Sequence, residues 1–355
     1  MKLGIVAKLG AVSAVAALAA ACSAPAASAP VNSTKASGPF TIGVSNAFVA
    51  SEYRTQMIDD IKAAFDQYKS QGVVDKLVLE NADADVNGQI QQIRNLINQR
   101  VNAIIVDPNS ASALSAVFKE ATDQGIKVIA IDQAVDSPDV LNVGISQKEL
   151  GAASAEWFAG KVGDGASIVT VEGAAGNPAT DARWAGANEV FQKHNIKVLT
   201  HGDGGWDQAT GQTVATNLLA TYPDVKGVWT YDGMAQGVLR AVQAAGKTAS
   251  VVVGGEGRVG FMRMWNDLKS SGFASVGIVN PPGTGATALH FAVNLLQGKT
   301  LDPSKVTDGH SIVLPLDPAI TNDNFADQWS KVSGKSDTYV IDSILSASDV
   351  AKYFK

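Results

Sequence analysis

The sequence predicts an α/β protein with two doubly wound lobes, each built on a parallel sheet. From residue 39 onward, short runs rich in β-branched residues alternate with segments whose apolar residues recur at helical spacing. The strand-like runs are apolar throughout, as expected for strands that helices cover on both faces. The alternation restarts near residue 146, so two consecutive sets of about five strands each are expected, joined by right-handed crossovers.

The first set begins with the strand TIGVS, which is followed by a helical pattern from Tyr53 to Gly72. Met57, Ile61 and Phe65 fall on one face of that helix. The other predicted elements of the first set are the strand KLVLE, a helix with Ile90, Ile93, Leu96 and Ile97 facing inward, the strand AIIVD, a helix over Ala111 to Gly125 and the strand KVIAID.

The second set repeats this alternation. Its predicted elements are a helix over Lys148 to Val162, the strand SIVTVEG, a helix near Asp181 to His194, the strand KVLTHGD, a helix near Gln208 to Thr221, the strand GVWTYD, a helix over Met234 to Gly246 and the strand SVVVGGEG. A polar residue follows nearly every strand of both sets. Because ligands of open α/β sheets bind beyond the carboxyl ends of the strands, these residues predict a polar cleft between the lobes.

The N-terminal segment is predicted to direct export. Residues 1–21 carry Lys2, Lys8 and an apolar run of small residues, which is typical of a signal peptide and too short for a stable membrane span. Cys22, the single cysteine, follows LAAA and is predicted to be lipidated, although the usual lipobox leucine is replaced by Ala19. The alternative is cleavage near residues 27–29. Residues 22–38, rich in Ala, Ser and Pro, are expected to form a flexible tether.

Composition and motifs exclude several other classes of function. A net charge of −6 without a Lys/Arg cluster argues against nucleic-acid binding. Residues 255–260 fit G-x-G-x-x-G, but the next predicted strand ends in Asn280 and lacks the acidic residue that holds a dinucleotide ribose. The four histidines lack metal-ligand spacing, and no hydrolase or phosphate-binding motif occurs. We therefore expect a binding protein without catalytic residues, metal or cofactor.

The folded part resembles a type I periplasmic substrate-binding protein of a bacterial ABC sugar importer, of the ribose-binding type and in lipoprotein form. The resemblance rests on the order and spacing of IGVSNAFVASEYRTQM, QIQQIRNLINQRVNAIIVDP, KVIAIDQ, VEGAAGNPATDARWAG, LLATYPDVKGVWTYDGMAQGVLRAVQAAGK, VVVGGEG and IVNPPGTGA. It implies a three-strand hinge, with crossings near residues 143–147, 279–282 and 313–317. The N-terminal lobe would then comprise residues 39–145 and 281–315, and the C-terminal lobe residues 146–280 and 316–355.

The resemblance also implies ligand contacts in the first lobe. Asn46 and Tyr53 follow the first strand, where the family places a polar residue and an aromatic that packs on the ligand. Arg54 is either a donor to the ligand or a surface charge. Asp132 matches an aspartate that accepts sugar hydroxyls, and Gln133 stands where ribose binders carry arginine.

Further contacts are implied in the second lobe. Arg183 matches an arginine that bridges two hydroxyls, and the planar fork of its guanidinium suits that role. Tyr231 replaces an asparagine of the ribose binders, and Asp232 either accepts hydroxyls or caps the following helix. Glu256 stands where the family carries aspartate, and Asn280 lies at the second crossing, where it would serve the ligand or the hinge.

The resemblance thus implies an exported, monomeric protein that binds a small neutral sugar or polyol and delivers it to an ABC permease in the membrane. The replacements Gln133 and Glu256 favour a pentose or an alditol of four to five carbons over ribose. A hexose ligand remains open, as does a sensory role with a chemotaxis receptor or a sensor kinase. An exported enzyme acting on carbohydrates is a further alternative, for which the sequence offers no activated nucleophile or acid/base pair.

Overall fold

The computed structural model describes residues 38–355. The predicted signal peptide, Cys22 and all but the last residue of the predicted tether lie outside the described residues. Within residues 38–355, no helix is both long enough and apolar enough to cross a membrane.

Eleven helices and eleven strands make up this part of the chain. As far as the middle of the chain they are β1 (Phe40–Asn46), α1 (Glu52–Ser70), β2 (Val74–Asn81), α2 (Val86–Asn98), β3 (Ala103–Asp107), α3 (Ser115–Asp123), β4 (Lys127–Ile131), β5 (Leu141–Gly144), α4 (Gln147–Val162), β6 (Ser167–Glu172) and α5 (Pro178–Lys193). They continue with β7 (Lys197–Asp203), α6 (Gln208–Thr221), β8 (Gly227–Trp229), α7 (Ala235–Ala244), β9 (Val252–Glu256), α8 (Val259–Leu268), β10 (Ser275–Ile278), α9 (Thr284–Leu296), β11 (Ser311–Val313), α10 (Phe325–Val332) and α11 (Ala347–Ala351).

Two parallel sheets define the two lobes, which confirms the predicted fold class. The sheet of the first lobe has the order β11-β5-β4-β3-β1-β2, and that of the second lobe has the order β10-β9-β8-β6-β7. The sequence missed β5, because its four residues are too few to show a strand pattern beside the longer runs. β11 is likewise short and joins the first sheet from a distant part of the chain.

The strand order reverses once in each sheet. β1 lies between β2 and β3, and β6 lies between β7 and β8. At such a reversal, the connections leave a strand toward opposite faces of the sheet and open a crevice at its carboxyl end. The loops after β1, β3, β6 and β8 are therefore placed at the crevices of the two lobes.

Three connections of the chain run between the two sheets. It leaves the first sheet after β5 and enters α4, which packs on the strands of the second sheet. It returns after β10 into α9, which packs against α1, β3 and β4 of the first lobe. After β11 it crosses again, and Ile320 pairs with Gly277 beside β10.

The structure contains a fourth passage that the sequence did not predict. The backbone N–H of Ile341 donates to Gly257 in the second lobe (2.7 Å), and a few residues later that of Leu345 donates to the Thr287 hydroxyl in the first lobe (3.2 Å). α11 then packs on α9. The last residues of 316–355 thus contact the first lobe, whereas the sequence assigned this whole stretch to the second.

Candidate functional site

A cavity of about 200 Å³ lies between the carboxyl ends of the two sheets. Its volume is well above the ~30 Å³ that one water occupies in the liquid and below the ~300–1,000 Å³ typical of drug-sized ligands. The residues that line it are Ala47, Phe48, Ser51, Tyr53, Arg54, Ala84, Asp107, Asn109, Asp132, Gln133, Ala174, Asn177, Ala179, Arg183, Trp206, Asp232, Gly233, Arg258 and Asn280.

Arg54 organises the wall that the first lobe contributes. It lies in the first turn of α1, which directs its guanidinium toward the ends of β1, β3 and β4. The guanidinium forms an ion pair with Asp107, donates to Asn46 Oδ1 (2.9 Å) and lies 3.8 Å from the Asp132 carboxylate. Burial raises the pKa of Asp107 well above its usual value, and the positive charge of Arg54 only partly opposes this.

Gln133 completes this wall and carries an open acceptor. Its Nε2 donates to Asp107 Oδ1 (3.3 Å), while its buried Oε1 contacts no hydrogen-bond donor among the described residues. The same holds for Oδ1 of Asn109, two residues after β3. Buried acceptors of this kind are costly unless a donor reaches them, so both point to a ligand or water with hydroxyl groups.

Asp132 connects the cavity wall to the passages between the lobes. Its backbone lies in the left-handed region (φ 62°), which aspartate tolerates better than most residues do. Its Oδ1 accepts from Gln147 Nε2 (3.0 Å) and from Asn280 Nδ2 (2.8 Å). Gln147 begins α4 after the first passage, and Asn280 follows β10 at the second.

Arg183 organises the cavity wall of the second lobe, as Arg54 does that of the first. Its side chain is 1% exposed; its Nε donates to Gln147 Oε1 (2.8 Å), and its NH1 to Asp232 Oδ2 (2.6 Å). Burial alone would lower the pKa of Arg183, but the negative charge of Asp232 and its neighbours outweighs burial and raises it. Asp232 thus pairs with Arg183 and does not cap the following helix, whose first turn has no side-chain cap.

Two glycines hold the helix of Arg183 against its neighbour. A Cβ on Gly151 of α4 would lie 2.1 Å from the Arg183 carbonyl oxygen, and one on Gly186 of α5 would lie 2.0 Å from the Lys148 carbonyl oxygen. Since these obstacles are backbone atoms, only glycine permits this close packing. This packing fixes the position of α5 and therefore the position of the Arg183 side chain at the cavity wall.

Aromatic rings support Arg183 from the side of the second lobe. Its Cζ lies 5.2 Å from the ring centroid of Trp206 and 5.0 Å from that of Tyr231, within the range of cation–π attraction. Trp206 has a positive φ of 61°, a conformation unusual for a bulky residue that helps to direct the indole toward the cavity. The Tyr231 hydroxyl accepts from the Gly173 N–H (3.3 Å) behind the cavity wall.

Glu256, at the end of β9, supports the wall from behind. Its carboxylate accepts from Gln208 Nε2 (3.0 Å), Gly233 N–H (2.9 Å) and Arg258 Nε (2.9 Å). Burial, followed by the charge of Asp232, raises the pKa of Glu256 to about 8. The carboxylate is directed at these protein partners, and Glu256 does not line the cavity.

The glycines of the G-x-G-x-x-G match have packing roles. A Cβ on Gly255 would lie 2.3 Å from the Phe261 ring, and one on Gly260 would lie 2.6 Å from the Gln236 amide. Close packing at the end of β9 and the start of α8 therefore accounts for these two glycines. Within residues 38–355, no group of three or more His, Cys, Asp or Glu side chains could hold a metal ion.

Most of the predicted ligand-binding residues lie at the cavity. Seven of them line it, namely Tyr53, Arg54, Asp132, Gln133, Arg183, Asp232 and Asn280. The other three, Asn46, Tyr231 and Glu256, lie behind it and hold Arg54, Arg183 and Arg258 respectively. Tyr53 contributes a buried ring whose hydroxyl lies 3.5 Å from the Pro281 carbonyl oxygen.

Several lining residues were not predicted as ligand contacts. Asp107 ends β3 and Arg258 lies just after β9, so both occupy the kind of strand-end position that identified the others. Phe48, Ser51, Asn109 and Trp206 lie in loops, where neither apolar periodicity nor a strand end marks a position. Only the folded loops bring these residues to the cavity.

Comparison with known proteins places the chain among binding proteins of one family. The family model described as periplasmic binding protein domain matches residues 42–300. A ribose import binding protein of Bacillus subtilis is 29% identical over 262 residues, covering 73% of this chain and 83% of the relative. A xylitol-binding protein of Mycolicibacterium smegmatis is 30% identical over 276 residues, covering 76% of this chain and 75% of the relative.

Solved structures share the fold. An ABC transporter solute-binding protein from Thermobispora bispora superposes with a TM-score of 0.76 at 24% identity, covering 88% of this chain and 94% of the other. One from Mycobacterium smegmatis with bound glycerol gives a TM-score of 0.71 at 23% identity, covering 86% and 100% respectively. At these identities the likeness establishes the two-lobed architecture.

Proposed function

The chain belongs to the periplasmic binding protein domain family, and on that premise we propose that it captures a small neutral sugar or polyol between its lobes. A pentose or an alditol of four to five carbons is the favoured ligand. Closure of the lobes around it would prepare the complex for delivery to an ABC permease.

The balance of charge in the cavity is the observation that carries this proposal. Three arginines and three aspartates line it. Arg54 contacts Asp107, Arg183 contacts Asp232, and Arg258 contacts Glu256 from behind the wall. Because every guanidinium already contacts a carboxyl group of the protein, a charged ligand would have to compete with these pairs in a buried site. Hydroxyl groups can donate to the carboxylates and accept from the guanidinium groups without disturbing these pairs.

The remaining wall suits a polyhydroxylated carbon chain. The open acceptors of Gln133 and Asn109 can receive hydroxyl protons. Tyr53, Trp206 and Phe48 offer aromatic surface to C–H groups. A ligand that lacked one hydroxyl would leave a buried polar group unpaired, which is the physical basis for selectivity in such a site.

The size of the cavity supports a small ligand. About 200 Å³ is below the range of drug-sized pockets, so a compact sugar or alditol is favoured over an oligosaccharide. Relatives of this chain are described as binding ribose or xylitol, and one structural neighbour carries glycerol. A hexose is the second candidate, since another relative is a D-allose-binding protein that is 29% identical over 268 residues.

The same proposal covers the placement of the protein in the cell. Periplasmic binding proteins act outside the cytoplasm, and residues 1–21 have the composition of an export signal. We expect a monomer that is tethered to the membrane through a lipid on Cys22, with lobes that divide near residues 145 and 281. Replacing Cys22 by alanine should release the protein from the membrane fraction; retention there would contradict the lipid anchor.

A thermal-shift screen of pentoses, hexoses, alditols and sugar phosphates tests the proposal. With a dissociation constant of ~1 μM, a ligand at a hundredfold excess over that value stabilises the folded chain by about 2.7 kcal/mol. We expect the largest shift with a pentose or a short alditol, confirmed by calorimetry. Stabilisation by hexoses alone would exclude the small ligand, and stabilisation by sugar phosphates alone would overturn the charge argument.

A further inference from the structure

One ion pair joins the two lobes at the cavity wall. Arg258 follows β9 in the second lobe, and its NH1 contacts the carboxylate of Glu52, the first residue of α1 in the first lobe. The Arg258 side chain is 3% exposed and that of Glu52 is 38% exposed. Glu52 therefore reaches from the surface to a buried guanidinium on the opposite lobe.

The second lobe holds Arg258 independently of this contact. Its Nε donates to Glu256 at the end of β9 in the same lobe. The Glu256 carboxylate also accepts from Gln208 and Gly233, so it is shared among three donors. If the lobes separated, Arg258 would keep this shared partner and lose Glu52 to the other side of the cleft.

The first lobe likewise holds Glu52 independently of Arg258. Glu52 lies in the first turn of α1, where a negative charge interacts favourably with the helix dipole in either arrangement of the lobes. It does not line the cavity. The contact between Glu52 and Arg258 thus depends on closure of the lobes, whereas the position of Glu52 at the start of α1 does not.

From this geometry we infer that Glu52 is a positioning residue that latches the closed lobes through Arg258 and lengthens the residence time of the ligand. The inference rests on the proposed function and adds a determinant of affinity that does not touch the ligand. A contact made only in the closed arrangement slows opening and leaves encounter unaffected, so the effect falls on the dissociation rate. Because Glu52 is partly exposed, removing its charge is expected to accelerate dissociation about tenfold, which is less than the cost of breaking a fully buried pair.

Salt dependence separates a latch from a general structural role. Glu52 is partly exposed, so ions can screen its attraction to Arg258. Raising the salt concentration should accelerate ligand dissociation from the wild-type chain more than from Glu52→Gln. A residue that merely stabilised α1 would change the melting temperature of the ligand-free chain without changing this salt response.

The experiment uses the full chain with D-ribose or xylitol, whichever stabilises the wild type, and measures dissociation by stopped flow. Glu52→Gln removes the charge, and Glu52→Asp keeps a charge in the first turn but shortens the arm. Asp59→Asn is the matched control, because Asp59 is another exposed acid of α1, 65% exposed and paired within that helix to Lys62. Both Glu52 variants should dissociate faster, the control should match the wild type, and the ligand-free melting temperature of Glu52→Asp should remain unchanged.

Equal dissociation rates in Glu52→Gln, Asp59→Asn and the wild type would overturn the latch and leave the proposed function standing. If neither sugar nor alditol binds the wild type, the proposed function fails, and the latch is then measured in the ligand-free chain by small-angle scattering at low salt. There, Glu52→Lys should increase the radius of gyration relative to Asp59→Lys, because it places two positive charges across the cleft. An unchanged radius would overturn the latch.

Discussion

Substituting Gly173 by alanine tests whether the Trp206 indole forms a wall of the binding site. Gly173 follows β6 and is not among the residues with positive φ, so its backbone accepts alanine. The added Cβ would lie 2.2 Å from Cε2 and Cζ2 of Trp206 and 2.6 Å from Cη2. Carbon atoms in contact are about 3.5–4.0 Å apart, so the ring must recede by about 1.5 Å.

The residues that surround the Trp206 indole determine the direction in which the ring is displaced. Arg183 lies over its face at 5.2 Å, and Tyr231 adjoins it with ring centroids 5.6 Å apart. With those directions occupied, the ring moves into the cavity of about 200 Å³ and takes space from the ligand. Overpacking of this size costs about 1–3 kcal/mol, which corresponds to an affinity roughly fivefold to 150-fold weaker when it falls on the bound state.

Calorimetry with the ligand identified by screening measures this loss, and thermal melts of the ligand-free chain show whether the fold is kept. Gly160→Ala is the control, since the added Cβ on this residue of α4 meets no atom within 4 Å. Wild-type affinity in a folded Gly173→Ala variant would refute the assignment of Trp206 to the site. A loss of stability without a loss of affinity would show that the strain is relieved away from the cavity.

Three further predictions follow from the geometry. Arg183→Lys should weaken binding at least tenfold in calorimetry, with little change in melting temperature. The reason is that lysine keeps a positive charge near Asp232 but loses the hydrogen bond from Nε to Gln147. Unchanged affinity would show that Arg183 does not contact the ligand. Burial and the neighbouring Asp342 raise the pKa of Asp60 to about 7 from a usual 3.8, so the folded chain binds a proton that the unfolded chain has lost, and stability should fall from about pH 4 to pH 7. Thermal melts across that window should show a smaller fall for Asp60→Asn, and an equal fall would contradict the assignment. Gly186→Ala should lower the unfolding free energy by about 1–3 kcal/mol in urea, because its Cβ would lie 2.0 Å from the Lys148 carbonyl oxygen; undiminished stability would show that α4 and α5 can separate.

The regular part of the fold could be predicted because its signals are local. The apolar run of β3 is buried along its whole length, and α6 has the predicted limits Gln208 and Thr221. β5 and β11 gave no comparable signal, since each is short and depends on pairing with a strand far away in the sequence. The fourth passage was missed for the same reason, because pairing of Ile341 with Gly257 is set by tertiary contact and leaves no periodic pattern.

The residues of the candidate site were likewise predictable only in part. Positions at strand ends, such as Asp132 and Asp232, could be found because the parallel sheet determines where strands end. What the sequence could not distinguish is whether a polar side chain faces the ligand or another protein group. Glu256 ends β9 and Tyr231 follows β8, as Asp232 does, yet the polar atoms of Glu256 and Tyr231 bond to protein partners behind the wall. That choice depends on three-dimensional neighbours such as Gln208, which comes from a different helix.

The hydrogen bonds around Asp132 explain how a small ligand could control the arrangement of two large lobes. Asp132 bonds to Gln147 at the first passage and to Asn280 at the second, and Gln147 in turn bonds to Arg183. A hydroxyl that binds Asp132 or Arg183 therefore acts on the side chains that connect the lobes, without an intervening chain of packed residues. Because a ligand shifts a conformational equilibrium only through its differential affinity for the two states, contacts at these shared residues are where closure and binding are most directly coupled.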